Sequence, residues 1–280
     1  MPPGVADQTA YSFVYGKEEA KEREDLVFDH GAIPDGVRDL DGLVQYRLKQ
    51  LKGVSRGDVN IVENVASQFG STPARRLDIE LKSGSAAIRT LCLLAIPSER
   101  VYVQLTYTAP PSVRDAAGRL DHVARSAGAA DGKVGSTTPG FDRRSVGMAT
   151  IEVPSNLRPP SDYAFELPDN ATTMEMSVWR PGDPGFPKPL EVLASEDAAV
   201  AERVSAVKPE PIQSQGGEAH FVRYTLAKKR FGGVKEFAVW RARIELGRGA
   251  IASVSARSAE PSNDRVDAAF LAFVQSVREE

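Results

Sequence analysis

The residue types that perform most enzyme chemistry are few and scattered in this chain of 280 residues. The three histidines, His30, His122 and His220, are far apart, and none stands at the short spacing from another that paired metal ligands show. Asp29 precedes His30, and this is the one carboxylate–imidazole pair that we regard as a candidate for acid–base chemistry. The pattern predicts no metal site and no catalytic residue.

The single cysteine, Cys92, lies in an apolar run from Thr90 to Ile96 and has no partner for an intrachain disulfide. Its surroundings predict a small buried side chain in a strand rather than a reactive thiol. A protein with one such cysteine fits a reducing compartment.

The glycines do not form a recognisable phosphate-binding or nucleophile motif. No G-x-S-x-G elbow, P-loop or dinucleotide fingerprint is present. The glycines of the run 53–57 and of Gly232-Gly233 do not follow a strand and open a helix, as a phosphate site requires. The sequence therefore predicts a protein without cofactors and without enzymatic activity.

The composition indicates which classes of partner the protein does not bind. The net charge is −3, and acidic and basic residues are mixed along the chain, which disfavours nucleic-acid binding because that needs a concentrated positive surface. No apolar stretch approaches the ~20 residues of a membrane-spanning helix. The first residues lack the basic and apolar regions of a targeting signal. We expect a cytoplasmic protein that does not insert into membranes.

One amphipathic pattern occurs twice, and this predicts an internal duplication. Each copy is a stripe of apolar residues three and four positions apart, which is the spacing of one helical face. At an offset of 153, the two stripes are Val113, Ala116, Ala117, Leu120 and Val266, Ala269, Phe270, Phe273. Each stripe follows a proline-containing loop, at 109–112 and 259–262, where proline is tolerated ahead of a helix.

Strand patterns precede each of these helices. Apolar and alternating runs joined by tight polar turns predict one hairpin at 88–108 and another at 237–256. An additional helix is predicted upstream of each hairpin, on Leu40–Leu51 and on Leu190–Val204, and a short strand ahead of each helix, at Leu26–Phe28 and Met174–Trp179. The fold class is therefore α+β, with two tandem copies of an antiparallel sheet flanked by helices. We predict a first, diverged domain at 1–126, a linker at 127–140 and a second domain at 141–280.

The element order, the opening strand Ile151-Glu152-Val153-Pro154 and the step Gly216-Gly217-Glu218-Ala219 resemble the DcrB-like/PsbP-like fold. Within that fold the chain looks similar to the small Eag-type chaperones of type VI secretion effectors in bacteria. The resemblance implies a protein that holds apolar segments of an effector before export. In that family two copies of the domain pair as a homodimer, and a tandem chain could supply both halves.

The strand Thr90–Ile96 is apolar on both faces, whereas an antiparallel sheet with helices on one side normally presents its other face to water. It therefore needs a second cover, which is either the other copy, packed sheet to sheet, or a client's apolar segment. The candidate partner-binding residues are Leu91, Leu93, Leu94 and Ile96 in the first copy, with Met174, Met176, Trp179 and Trp240 in the second.

Three functions remain open on the sequence. The main hypothesis is a non-catalytic chaperone or adaptor that holds apolar segments of a type VI secretion (polymorphic toxin) effector. The alternatives are an immunity protein that neutralises a cognate toxin domain, and a small-molecule or lipid binder. In the first two the partner is another protein, and we expect a monomer with an internal pseudo-dimer or a weak homodimer.

Overall fold

The computed structural model describes residues 2–278 apart from 4, 16–22, 55–58, 84–85, 111, 130–136, 148, 170, 184–188, 200–202, 206–208, 231–232 and 260–263. The chain forms two compact units. The N-terminal unit comprises Ala10–Pro160, and the C-terminal unit comprises Met1–Thr9 with Ser161–Glu280. No helix within the described residues has the length and apolar character needed to cross a membrane.

The elements up to residue 160 are β1 (Ala6–Asp7), β2 (Tyr11–Tyr15), β3 (Glu24–Ala32), α1 (Leu40–Val54), β4 (Val59–Phe69), β5 (Thr72–Ser83), β6 (Ala86–Ser98), β7 (Val101–Thr108), α2 (Ala116–Arg125), β8 (Gly128–Ala129), β9 (Phe141–Val146) and β10 (Ala149–Pro154). The antiparallel sheet of the N-terminal unit has the order β2-β3-β7-β6-β5-β4, and a three-stranded sheet has the order β8-β10-β9.

The elements after residue 160 are β11 (Asp162–Glu166), β12 (Thr173–Trp179), α3 (Leu190–Ala199), β13 (Arg203–Val204), β14 (Glu210–Gln213), β15 (Glu218–Arg230), β16 (Gly233–Glu245), β17 (Ile251–Ser258) and α4 (Asp264–Ser276). Their antiparallel sheet has the order β1-β11-β12-β17-β16-β15-β13, and β14 also pairs with β15. The predicted α+β fold class is confirmed.

The two large sheets share one strand order. In each unit two strands precede a helix, the main strands follow it, and a second helix ends the set. The order β2-β3-β7-β6-β5-β4 has its counterpart in β11-β12-β17-β16-β15-β14. The strand β7 corresponds to β17 at an offset of 150 residues.

The buried faces of α2 and α4 follow the same offset of 150. The buried Leu120, Val123 and Ala124 of α2 correspond to the buried Phe270, Phe273 and Val274 of α4. The offset of 153 predicted from the helix stripes is therefore wrong by about one helical turn. Because residues three and four apart lie on the same helical face, a shift of this size preserves the apolar pattern.

Each sheet is covered by helices on both faces. In the N-terminal unit Leu43, Val44 and Leu48 of α1 form one cluster with Leu77, Ile79, Cys92 and Leu94 of the sheet. On the opposite face, Asp121 of α2 lies within 3.5 Å of Arg76 on β5. The C-terminal sheet likewise packs against Leu190 and Ala194 of α3 on one face and against the buried stripe of α4 on the other.

The strands β9 and β10 belong with the N-terminal unit, although the predicted linker, 127–140, precedes them. The imidazole Nε2 of His122 on α2 lies 2.8 Å from Glu152 Oε2 on β10. The Glu152 amide donates to Ser126 Oγ at the end of α2, and the His122 ring contacts Phe141 of β9 at a centroid distance of 4.2 Å. Residues 130–136 of the predicted linker lie outside the described residues.

Candidate protein-binding surface

The apolar residues of β6 are covered by the helices of their own unit. Leu94 packs in the α1 cluster, and Ile96 lies half-buried against that cluster. Leu91 and Leu93 point to the opposite face, because side chains alternate along a strand, and both are buried. The prediction that this strand needs cover from the other copy or from a client is therefore wrong, since it assumed helices on one face only.

The predicted residues of the second copy lie mainly in its core. Met174 and Trp240 are fully buried with Phe270 and Phe273 of α4, and Met176 packs at the margin of the same cluster. Trp179 is half-buried at the end of β12. Of the eight candidate residues, only Ile96, Met176 and Trp179 thus retain partial access to solvent.

The pair Asp29 and His30 does not form a catalytic dyad. The two residues are consecutive in β3, so their side chains point to opposite faces of the sheet. The hydroxyl of Tyr102 lies 3.5 Å from Asp29 Oδ2, whereas the His30 ring packs on Phe28 at a centroid distance of 5.8 Å. No three His, Cys, Asp or Glu residues of the described chain converge as metal ligands.

The buried position predicted for Cys92 is confirmed. Burial raises the pKa of its thiol to about 11, which keeps the thiol protonated at neutral pH. The side chain therefore serves as a packing group in the α1 cluster.

One buried carboxylate links several elements of the N-terminal unit. Glu24 of β3 accepts hydrogen bonds from the Tyr107 hydroxyl, from Arg119 at 3.0 Å and from Asn156 at 2.9 Å. Burial and the hydrogen bond to Glu24 raise the pKa of Tyr107. Because each donor comes from a different element, this cluster joins β7, α2 and the segment after β10 to β3.

A second polar cluster lies beneath α3 in the C-terminal unit. Asp197 accepts hydrogen bonds from the Tyr224 hydroxyl at 2.5 Å and from Arg241 at 2.8 Å, and Arg257 lies 3.7 Å away. Burial and the hydrogen bond to Asp197 raise the pKa of Tyr224 to about 12. Burial alone would raise the pKa of Asp197, but the hydrogen bonds from Tyr224 and Arg241 lower it. The polar groups satisfy one another and attach α3 to the sheet.

The exposed large apolar side chains of the N-terminal unit include a group near β4, the last strand of its sheet. Ile61 is 41% exposed, and Val62 and Ile88 are each 55% exposed. We define the β4 edge surface as Ile88 together with the exposed residues of β4, which are Asn60, Ile61, Val62, Glu63, Asn64, Ala66 and Gln68. A β-bulge between Ile61 and Glu63 shifts the register with β5.

Charged groups flank one side of the β4 edge surface. Arg76 bridges Glu63 at 3.2 Å and Asp121 at 3.5 Å, and Ser67 of β4 donates to Asp121. On the next strands, the hydrogen bond to Asp78 raises the pKa of Arg89, and the charges of Glu63 and Glu80 add to the shift. Among the side chains that the structure describes, four carboxylates and two guanidinium groups therefore lie on this side, so that negative charges outnumber positive ones.

The β4 edge surface was not predicted from the sequence. Its signal was the run Val59–Phe69, which is rich in β-branched residues and ends at Gly70. Gly70 has φ +55°, and a side chain there would meet the Ala127 carbonyl oxygen at 2.6 Å. The run carries apolar residues on both faces with polar ones between them, so its pattern alone did not show which positions face solvent.

Comparisons with known proteins identify a shared fold. No protein-family model matches the chain, and no curated protein does. A chain of the Tle4–Tli4 complex has a similar structure, with a TM-score of 0.51 and 11% sequence identity. The match covers 99% of this chain and 93% of that chain. This likeness shows that the chain shares its fold over nearly its whole length.

Weaker likenesses extend to the immunity protein TplEi of T6SS from Pseudomonas aeruginosa. Its apo structure and its complex with "L" peptide are each 11% identical to this chain and cover 99% of it. The match covers 92% of the apo chain with a TM-score of 0.47, and 99% of the chain in the peptide complex with a TM-score of 0.48.

Proposed function

We propose that this protein is a non-catalytic binding protein, and that it acts as an immunity protein by binding and neutralising a toxin domain. The observation that carries the proposal is the fold shared with a chain of the Tle4–Tli4 complex, which is by its name an assembly of two proteins.

The chemistry of the described residues agrees with binding rather than catalysis. The carboxylates of Glu24 and Asp197 are occupied by hydrogen bonds that join elements of the fold. The Cys92 thiol is buried and protonated, and Asp29 and His30 diverge. Glu24, Asp197 and Cys92 therefore stabilise the fold, and Asp29 and His30 do not act as a pair.

The immunity function is better supported than the chaperone function. A chaperone for apolar segments needs a broad accessible apolar face, and the β6 residues predicted for that role pack beneath α1 and α2. The β4 edge surface instead mixes three exposed aliphatic residues with amides and a carboxylate. Such a mixed surface is typical of binding to a folded partner.

We further propose that the two units are diverged copies of one DcrB-like/PsbP-like domain. Their common strand order and the offset of 150 residues on α2 and α4 support this origin. Arg76 of β5 and Arg223 of β15 also occupy equivalent places. Arg76 pairs in register with Leu93, Arg223 pairs with Trp240, and each arginine contacts an aspartate of the last helix.

A cytoplasmic, monomeric protein remains part of the proposal. The two related units would then supply within one chain what a homodimer supplies in the Eag-type proteins. Its mass in solution tests the monomer, and fractionation of the native host tests the location.

Purification from the native host identifies the effector that the protein binds, and co-expression with that effector tests the function. If the protein is an immunity protein, it binds the C-terminal toxin domain of that effector and restores growth to cells that express the toxin. If it is a chaperone, it binds the N-terminal segment and increases soluble effector without restoring growth. Absence of binding to either part, with both proteins folded, would contradict both functions.

Matched variants localise the binding. The double substitution Ile61→Asp and Ile88→Asp places charges on the β4 edge surface and should weaken growth rescue at least tenfold in plated survivors. Val234→Asp is the control, because Val234 is 53% exposed near the start of β16, the counterpart of β6. Equal rescue by both variants would show that the toxin domain binds elsewhere.

A further inference from the structure

Three of the four edges of the two large sheets either pair with an extra chain segment or end in strands of two to four residues. The outer side of β2 exchanges backbone hydrogen bonds with Arg158 through Val14. The outer side of β11 pairs with β1, and the Gln8 amide extends this contact by donating to the Ala164 carbonyl. The outer side of β15 pairs with β13 and β14, which contain two and four residues.

The fourth edge, β4, is different. It is eleven residues long, and no described segment pairs with its outer side. It contains neither proline nor lysine, which commonly protect an exposed edge, whereas its counterpart β14 is short and contains Pro211. An open edge presents a row of backbone donors and acceptors, and the ligand that satisfies such a row is another extended backbone.

The side chains beside β4 specify the charge of that backbone. Of the described side chains, the side that carries Glu63 also carries Asp78, Glu80 and Asp121, together with Arg76 and Arg89. A residue paired opposite Glu63 is favoured when it is basic and disfavoured when it is acidic. On the other side, Ile61 offers an apolar contact to alternate residues of the same strand.

A second copy of this chain fits the edge less well. The register shift divides β4, so that the longest regular stretch without a bulge is Glu63–Phe69. Stable protein interfaces bury roughly 1,200 Å² or more, which two such short strands do not reach on their own. β4 itself contains no basic residue to face Glu63, so a second copy paired through this strand does not supply the charge that the edge favours.

We propose that β4 binds an extended segment of the partner protein as an added strand, and that this segment alternates basic residues facing Glu63 with aliphatic residues facing Ile61. The inference rests on the proposed function for the identity of the partner, and it adds where the partner binds and which chemistry it presents.

Synthetic peptides test the proposal without the partner. The probes are peptides of about eight residues, the length of an ordinary strand, that alternate lysine with valine or glutamate with valine. A third probe is the lysine peptide with N-methyl groups on alternate amides, which removes backbone donors. Amide hydrogen exchange by mass spectrometry locates binding, and fluorescence anisotropy of labelled peptides measures affinity.

The lysine peptide should slow exchange in residues 59–69 and bind at least fivefold more tightly than the glutamate or N-methylated peptide. Glu63→Lys should reverse the charge preference, and Glu63→Gln should reduce it without introducing a like charge beside Arg76. Glu210→Lys, on the exposed edge strand β14, is the matched control and should leave lysine-peptide affinity unchanged.

Unchanged exchange at 59–69 with every peptide would overturn the proposal, and so would equal affinities for wild type and Glu63→Lys. A dimer whose β4 amides become protected as protein concentration rises would identify a second copy as the occupant and would also overturn it. Failure here is distinguishable from failure of the immunity function. A toxin domain that binds without protecting β4 removes only this inference, whereas β4 binding by the lysine peptide without toxin binding removes only the immunity function.

Discussion

The two units use one strand order but different chemistry beneath their first helices. Under α1 the sheet presents Leu77 and Leu94 to an apolar cluster. Under α3 the equivalent positions of β15 and β16 are Tyr224 and Arg241, which bind Asp197. The alternation of apolar residues and the order of the elements therefore determine this topology. Either an aliphatic cluster or a hydrogen-bonded polar cluster can attach the first helix to the sheet.

The largest loss of stability is expected when an arginine, as found in the polar cluster beneath α3, is introduced into the apolar cluster beneath α1. Leu94→Arg buries a guanidinium beneath α1, where the position equivalent to Asp197 is Arg47, which lies beside Cys92. We expect a loss of about 4 kcal/mol in the free energy of unfolding, because a buried charge without a partner is strongly destabilising. Denaturant titration, with hydrogen exchange of β5 and β6, measures it.

The reciprocal variant, Arg241→Leu, is the control and should cost no more than about 2 kcal/mol, because Asp197 keeps its hydrogen bond from Tyr224. If both variants lowered the free energy of unfolding equally, the different clusters beneath α1 and α3 would not differ in their contribution to stability.

Removal of the central carboxylate should have the next largest effect. Asp197→Ala removes the carboxylate that accepts from both Tyr224 and Arg241, and we expect a loss of about 2–3 kcal/mol in the free energy of unfolding of the C-terminal unit. Asp41→Ala on α1 removes an exposed ion pair with Arg75 and should cost at most about 0.5 kcal/mol. Thermal unfolding of both variants checks the contrast, and an equal shift in Tm would count against the account.

The sequence predicts the secondary structure of the two units better than it predicts which residues are buried. Strands at Leu26–Phe28 and Met174–Trp179 and the helix beginning at Leu40 are confirmed, because alternation and helical spacing are local properties. Which face of a sheet a helix covers depends on contacts between distant residues. Leu91 and Leu93 were therefore assigned to a partner, although α2 covers their face.

The candidate surface was harder to infer for a related reason. Exposure of Ile61 and Val62 follows from the position of β4 at the edge of the sheet, and strand order is set by long-range pairing. Val204, predicted as part of the α3 stripe, lies in β13 because α3 ends at Ala199. Apolar spacing continues across such a boundary even when the backbone does not.

Alkaline pH should weaken the polar cluster beneath α3. The pKa of Tyr224 is raised to about 12 from an ordinary value of about 10, so its contribution to stability is complete below about pH 10 and is lost as the pH rises through about 12. Tyr224→Phe should remove this loss from β15 and β16 and cost about 1 kcal/mol at neutral pH. Denaturant titrations at pH 8 to 12 measure the slope, and an unchanged slope in the variant would contradict the assignment.

The smallest effect is expected on the exposed edge. Ile61→Asp and Val234→Asp should each change the free energy of unfolding by no more than about 0.5 kcal/mol, because both side chains are exposed. Circular dichroism melts check this. A large loss for Ile61→Asp alone would mean that the side chain supports the fold and that its loss of binding is indirect.

The most direct test of the account is a titration of the purified protein with the purified toxin domain of the effector that co-purifies with it from the native host, followed by light scattering. The account predicts a complex with one copy of each protein, loss of toxin activity at equal concentrations, and weakened binding in the Ile61→Asp, Ile88→Asp double variant but not in Val234→Asp. Two folded proteins that elute separately, with toxin activity unchanged, would contradict it.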